Sequence, residues 1–215
     1  MTVTTPIRPD YAALEAAPVS STPFPHAVVR NFIRPDDLAA LVASLPELSS
    51  GGSFPPASLN LSPLARDLVA ELEGPVLRAA IARKFALDLT DAPTMLTLRG
   101  RTRAKDGRIH CDSVAKRVTV LLYLNPASEA WARQEGCLRL LRGPDDVEDY
   151  AAEIPPVDGT LLIFPNGPTT WHGHRQYVGR RYTIQLNYME NDAKARNELR
   201  RHRLSALAKR LSPAA

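Results

Sequence analysis

The spacing of apolar residues changes character near residue 93. Before that point it is helical. In "RPDDLAALVASL", Leu38, Leu41, Val42 and Leu45 stand at i, i+3, i+4 and i+7, with Pro35 in the first turn and Asp36 and Asp37 at its positive end. A Gly/Ser/Pro loop follows, and Ser62 then caps a second helix carrying Leu64, Leu68, Val69 and Leu72. Gly74-Pro75 divides it from a third, "PVLRAAIARKF". After residue 93 short β-rich runs take over: "TMLTLRG", "RVTVLLYLN", "CLRLLRG", "GTLLIFPNG", "TWHGHRQYV" and "RRYTIQLNYM". No helical pattern separates them, which argues against parallel βαβ units. The expected fold is mostly β with flanking helices: an antiparallel double-stranded β-helix (jelly roll) buttressed by N-terminal helices and a C-terminal helix.

The chain thereby reads as one domain over 1–215. Residues 1–20, rich in Pro and Thr, form a loosely held leader; 21–92 are helical support; 93–190 are the jelly-roll core; and 191–215 are a basic C-terminal helix. In that helix Leu204, Leu207, Ala208 and Leu211 make an apolar stripe expected to pack on the barrel.

Composition adds exclusions. With 44% apolar and 23% charged residues the chain is neither disordered nor fibrous. Its longest apolar run, "VTVLLYL", is too short for a bilayer, so no membrane is expected. No basic stretch followed by an apolar one marks a secretory signal, and two cysteines, Cys111 and Cys137, fit a reducing cytoplasm. The net charge of +4 sits in the tail: from Asn191 onward seven Lys/Arg face two Asp/Glu, leaving the body slightly acidic. Nucleic-acid binding by the body is therefore not expected.

Candidate chemistry starts at "IHCDS". Two positions apart in an extended segment means one face, so His110 and Asp112 can aim an imidazole and a carboxylate at one point while Cys111 looks away. Downstream, "TTWHGHRQYV" offers His172 and His174, either of which would complete two histidines and one carboxylate. That donor set suits non-haem Fe(II) and leaves coordination positions open. In "RRYTIQLNYM" one face is apolar, and the other carries Arg181, Thr183, Gln185 and Asn187, as a half-exposed strand or as the wall of a ligand cavity. In the second case Arg181 and Thr183 are adjacent donors suited to a carboxylate.

With these motifs in this order, the chain over about 94–190 resembles the Fe(II)/2-oxoglutarate-dependent dioxygenases, in particular their prolyl-4-hydroxylase-like branch. The resemblance rests on "HCD", "VTVLLYLN", "EGCLRLL", "GTLLIF", "WHG" and "GRRYT". It departs at Cys137, where a second glycine is usual. The resemblance implies His110, Asp112 and His172 as iron ligands, Arg181 with Thr183 as the anchor of 2-oxoglutarate, and O2 as the other co-substrate. Tyr123 is either plain core or a further hydroxyl donor to 2-oxoglutarate. Because halogenating relatives have a small residue in place of the carboxylate, Asp112 implies hydroxylation of an unactivated C–H bond, or a closely related oxidation, rather than halogenation.

Substrate is less legible. Arg99, Arg101 and Arg103 alternate toward the metal motif, either as a solvated edge strand or as a rim attracting an anionic or carrier-bound small molecule, to which Arg139 and Arg142 would add. The acidic loop "PDDVEDYAAE" would pair with these arginines or with the basic tail. Hydroxylation of a protein side chain and a non-catalytic metal-binding jelly roll are the alternatives.

Overall fold

The structure is a computed structural model and describes residues 7–127 and 129–211. Its N-terminal part contains α1 (Tyr11–Ala16), β1 (Ala27–Val29), α2 (Pro35–Ser44), α3 (Pro63–Glu73) and α4 (Pro75–Phe85). The strands β2 (Thr94–Thr102), β3 (Lys116–Tyr123), β4 (Leu138–Leu141), β5 (Tyr150–Ile154), β6 (Leu161–Pro165), β7 (His172–Gly173) and β8 (Gly179–Met189) follow, with a short α5 (Glu129–Ala132) before β4 and α6 (Ala193–Leu211) at the end. Local chemistry sets the helix starts: prolines occupy the first turns of α2, α3 and α4, and the Ser62 hydroxyl accepts the Ala65 N–H at 3.1 Å.

Two antiparallel sheets form the jelly roll. One runs β1-β6-β3-β8-β2, the other β5-β4-β7. The period of two in each central strand sorts residues between two environments. The outward face of the large sheet, with Leu96, Leu98, Val118, Val120, Leu122, Ile184, Leu186 and Tyr188, joins the apolar faces of α2, α3 and α4 in one buried cluster. The inward face meets the small sheet: Tyr123, Leu162 and Phe164 pack with Leu138, Leu140 and Ile154. The polar face of β8 is also inward, and Arg181, Thr183, Gln185 and Asn187 are all buried. The cavity-wall reading of that strand therefore holds, and the solvated one does not.

Several expectations are corrected. Within the expected loose leader, residues 1–6 lie outside the described part, and residues 18–20 are exposed, but between them Ile7, Pro9 and Leu14 are buried. Asp10 caps α1, and Leu14 and Phe32 are fully buried in the main cluster. The supporting region is not purely helical, because the β-prone triplet Ala27–Val29 pairs with β6. The run "TWHGHRQYV" yields only the two-residue β7, and the acidic loop ends in β5, which pairs with β4. The stripe on α6 faces outward: Leu204 and Leu207 are 59% and 56% exposed and Ala208 is exposed, whereas Ala195, Leu199 and Ala206 face inward. Leu211 is helical, with its side chain outside the described part.

Candidate active site

His110 and Asp112 lie in the connection between β2 and β3, and His172 opens β7. An isolated antiparallel bridge joins them: the backbone N–H of His110 donates to the His172 carbonyl and that of His172 to the His110 carbonyl, both at 3.0 Å. The approach leaves little room for a side chain next to it. A Cβ at Gly173 would stand 3.0 Å from the Gly107 carbonyl oxygen and 3.2 Å from the Ile109 Cα. As a result one donor atom from each of His110, Asp112 and His172 lies within 4.8 Å of the others.

Each side chain is also oriented. His110 Nδ1 is 2.8 Å from the Arg108 carbonyl, and His172 Nδ1 is 2.9 Å from the Thr170 carbonyl. A carbonyl only accepts, so Nδ1 carries the proton and Nε2 keeps its lone pair. Lys116 Nζ donates to one Asp112 oxygen at 2.7 Å and Thr119 Oγ1 to the other at 2.5 Å. Burial alone would raise the Asp112 pKa, but the Lys116 charge, His172 and these two hydrogen bonds hold it below the usual carboxylate value. Burial, and after it the nearby His110, push His172 down to about 4. At neutral pH the cluster thus offers a carboxylate and a neutral buried imidazole, the forms that ligate metals.

Beyond the cluster, the same cavity of about 130 Å³ is lined by Tyr123, Arg181 and Thr183. Tyr123 and Thr183 are register partners across β3 and β8. The Arg181 Nε is held by the Gly136 carbonyl at 2.8 Å, and its guanidinium lies 5.3 Å from the centre of the Tyr123 ring. Among the described residues three buried polar atoms here have no hydrogen-bond partner: Tyr123 Oη, Arg181 Nη2 and Thr183 Oγ1. Buried polar atoms are rarely left unpaired. Two hydroxyls and a guanidinium, all able to donate, fit the carboxylate of a bound 2-oxo acid, as the donor set of the cluster fits Fe(II). Tyr123 keeps the proton it would donate there, since burial lifts its pKa to about 12 against the opposing effect of Arg181.

Alternatives open in the sequence separate here. His174 lines the cavity, but its Nδ1 bonds to the Arg175 carbonyl and its ring packs on Gly107; the cluster contains His172 instead. Arg180, the neighbour of Arg181 that the sequence offers as a second candidate for the 2-oxoglutarate anchor, borders an external groove with Asn31 and Leu38, while Arg181 points inward. Arg139 does not join a cationic rim: it is fully buried and paired with Glu148 and Glu153, while Arg142 pairs with Asp149, so the acidic loop binds these arginines. Cys111 and Cys137 are both free thiols. Residues that the sequence reading missed are Lys116, Thr119 and Asn166, whose amide donates to the Ser113 and Lys116 carbonyls and braces the turn after Asp112. Thr119 was within reach of that reading, since it alternates with Tyr123 on one strand face.

Comparisons with known proteins agree with this geometry. Residues 101–189, the segment that carries the cluster and the three unpartnered atoms, match the model of the 2OG-Fe(II) oxygenase superfamily. Over that segment the chain is similar to a superfamily of oxygenases that use Fe(II), 2-oxoglutarate and O2. Its fold is similar to that of a Pseudomonas putida prolyl-4-hydroxylase, at 20% identity and a TM-score of 0.58 over 88% of this chain and 98% of that one. A prolyl 4-hydroxylase from Phytophthora capsici (14%, TM-score 0.57, 97% and 80% covered) and a Burkholderia pseudomallei oxidoreductase of the 2OG-Fe(II) oxygenase family (14%, 0.54, 89% and 96%) share it. No curated protein sequence matches the chain. Among the described residues no helix is long and apolar enough to cross a membrane.

Proposed function

We propose that the chain hydroxylates an unactivated C–H bond of a small metabolite, with His110, Asp112 and His172 holding the iron and Arg181, Thr183 and Tyr123 anchoring 2-oxoglutarate. One observation carries this reading: the three-donor cluster and the three unpartnered polar atoms line a single cavity. Fe(II), when bound, supplies the oxidation in which O2 and 2-oxoglutarate give a hydroxyl group, succinate and carbon dioxide. The chain's own residues do the positioning. Lys116 and Thr119 fix the Asp112 carboxylate, the Arg108 and Thr170 carbonyls fix the imidazole tautomers, and Arg181 with its two hydroxyl neighbours places one carboxylate of the co-substrate. The buried walls around Thr119, Thr183 and Leu138 limit water at the reacting centre.

Asp112 keeps a carboxylate where halogenation would need a vacant position, which favours hydroxylation. Two free cysteines support a cytoplasmic setting. A protein side chain is the competing substrate, suggested by the prolyl-4-hydroxylase folds. The test is succinate formation from 2-oxoglutarate with Fe(II), followed by a search for a mass gain of 16 in candidate metabolites and in proline-containing peptides. A mass gain confined to peptides would replace the small-molecule reading, and an absence of succinate under all conditions would end both.

A further inference from the structure

Two arginines at the cavity mouth have no task in the scheme above. Arg99 and Arg101, on the edge strand β2, both line the cavity. Among the described residues neither has an ion pair or a side-chain hydrogen bond, whereas the third member of the alternating row, Arg103, is engaged by Asp106 through two nitrogens at 3.1 and 3.0 Å. The register explains the direction of Arg99. It stands opposite Thr183 across β2 and β8, and paired residues of an antiparallel ladder project to the same face, here the inward one.

Charge balance then decides what this mouth can hold. Asp112 is matched by Lys116 and is the anionic ligand of the cluster, Asp106 is matched by Arg103, and Arg181 is assigned to the co-substrate. Two guanidinium charges remain over for a second anion. The site around Arg99 is crowded with charge. Much of its surface is open to solvent, yet the protein atoms packed round it, and after them the like charge of Arg181, lower its pKa, while Asp112 and Asp106 act the other way. A cation kept beside another cation is the arrangement of a receptor for an oxyanion, since a guanidinium donates two parallel hydrogen bonds to a carboxylate or phosphate.

We infer that Arg99 and Arg101 bind an anionic group of the substrate, a carboxylate or a phosphate monoester, and so hold the C–H bond to be oxidised beside the His110–Asp112–His172 cluster. The inference rests on the functional reading above. A substrate tethered in this way presents carbon a short molecule's length from its charge, so the pair selects by charge and by reach.

Binding tests it without turnover. Protein loaded with Mn(II) and 2-oxoglutarate under argon is titrated with matched pairs, hexanoate against hexanamide and phenyl phosphate against phenol, following metal-induced broadening of the probe proton signals. At least one anion should bind about ten-fold tighter than its neutral partner, the effect expected of a charge-assisted hydrogen bond. In R99Q/R101Q that preference should vanish; both side chains are exposed, so folding should persist. Preference for the phosphate alone or for the carboxylate alone would each support the inference and name the class. Equal binding within both pairs, a preference retained in the double variant, or a weakened grip on 2-oxoglutarate with the preference intact would overturn it. If 2-oxoglutarate itself does not bind the Mn(II)-loaded protein, the functional reading fails instead.

Discussion

His110 and His172 stand 62 positions apart in the chain, yet each donates its backbone N–H to the other's carbonyl at 3.0 Å. Two metal-ligand candidates are therefore held by strand pairing, before any ion is considered. The protein should be folded when stripped of metal. Chelation should leave the far-ultraviolet circular dichroism unchanged. Mn(II) at a hundred times its dissociation constant should add about 2.7 kcal/mol of stability by mass action. Loss of β-signal on chelation would show that the ion builds the site.

Asp112→Ala removes both the anionic donor and the partner of Lys116. Mn(II) binding and 2-oxoglutarate turnover should both be lost. Leaving the part-buried ammonium unpaired should cost roughly 1–3 kcal/mol in urea unfolding. Retained turnover would remove Asp112 from the site.

Arg181→Ala should weaken 2-oxoglutarate binding by about ten- to a hundred-fold, the worth of a charged hydrogen bond or two. Thr183→Ala, which removes one neutral donor, should weaken it by about three- to ten-fold. Titration of the co-substrate into Mn(II)-loaded variants checks the order, and a reversed order would relocate the carboxylate.

Acid should destabilise the metal-free protein through buried histidines. His172 and His174 are pushed from the ordinary 6.5 down to about 4, in both cases chiefly by burial. Between these values the unfolded chain binds more protons than the folded one. Their contribution is therefore complete above pH 6.5 and falls away as the pH drops toward 4. The urea midpoint of His174→Gln should decline less between pH 7.5 and 5 than that of the wild type. Parallel declines would show that other groups govern acid lability.

The outward leucines of α6 give a contrast. Leu204→Ser and Leu207→Ser should each change stability by less than about 0.5 kcal/mol, because the side chains already face water. Ala206→Glu should cost roughly 1–3 kcal/mol, since that position is buried and holds only a methyl group. Thermal unfolding of the three variants checks this, and a larger loss at Leu204 would place the helix the other way up.

The strand residues were the most legible part of the chain. The period of two in β8 divides Arg181, Thr183, Gln185 and Asn187 from Tyr182, Ile184, Leu186 and Tyr188, and both faces turn out to be buried, one against helices and one around the cavity. Which face was inward depended on the helical layer, and a single strand's pattern does not encode that. The stripe on α6 misled for a related reason. Leu204 and Leu207 satisfy helical spacing, but the helix docks through small residues, Ala195 and Ala206, which leave no strong periodic signal. The difference between His172 and His174 lies in tertiary pairing, which spacing does not encode: the bridge to His110 is made by the first and not by the second. Lys116 and Asn166 escaped notice because their value lies in bonds to the turn after Asp112, a local shape that sequence spacing does not reveal.

The large sheet has a further consequence. With one side given over to polar groups around the cavity, its oily side, from Leu96 to Tyr188, is shielded by α2, α3 and α4. The strands that carry the candidate site therefore do not amount to a detachable minimal unit. A fragment trimmed to begin at β2 would carry every proposed ligand and anchor, yet it would expose a broad greasy wall and aggregate before it could bind anything.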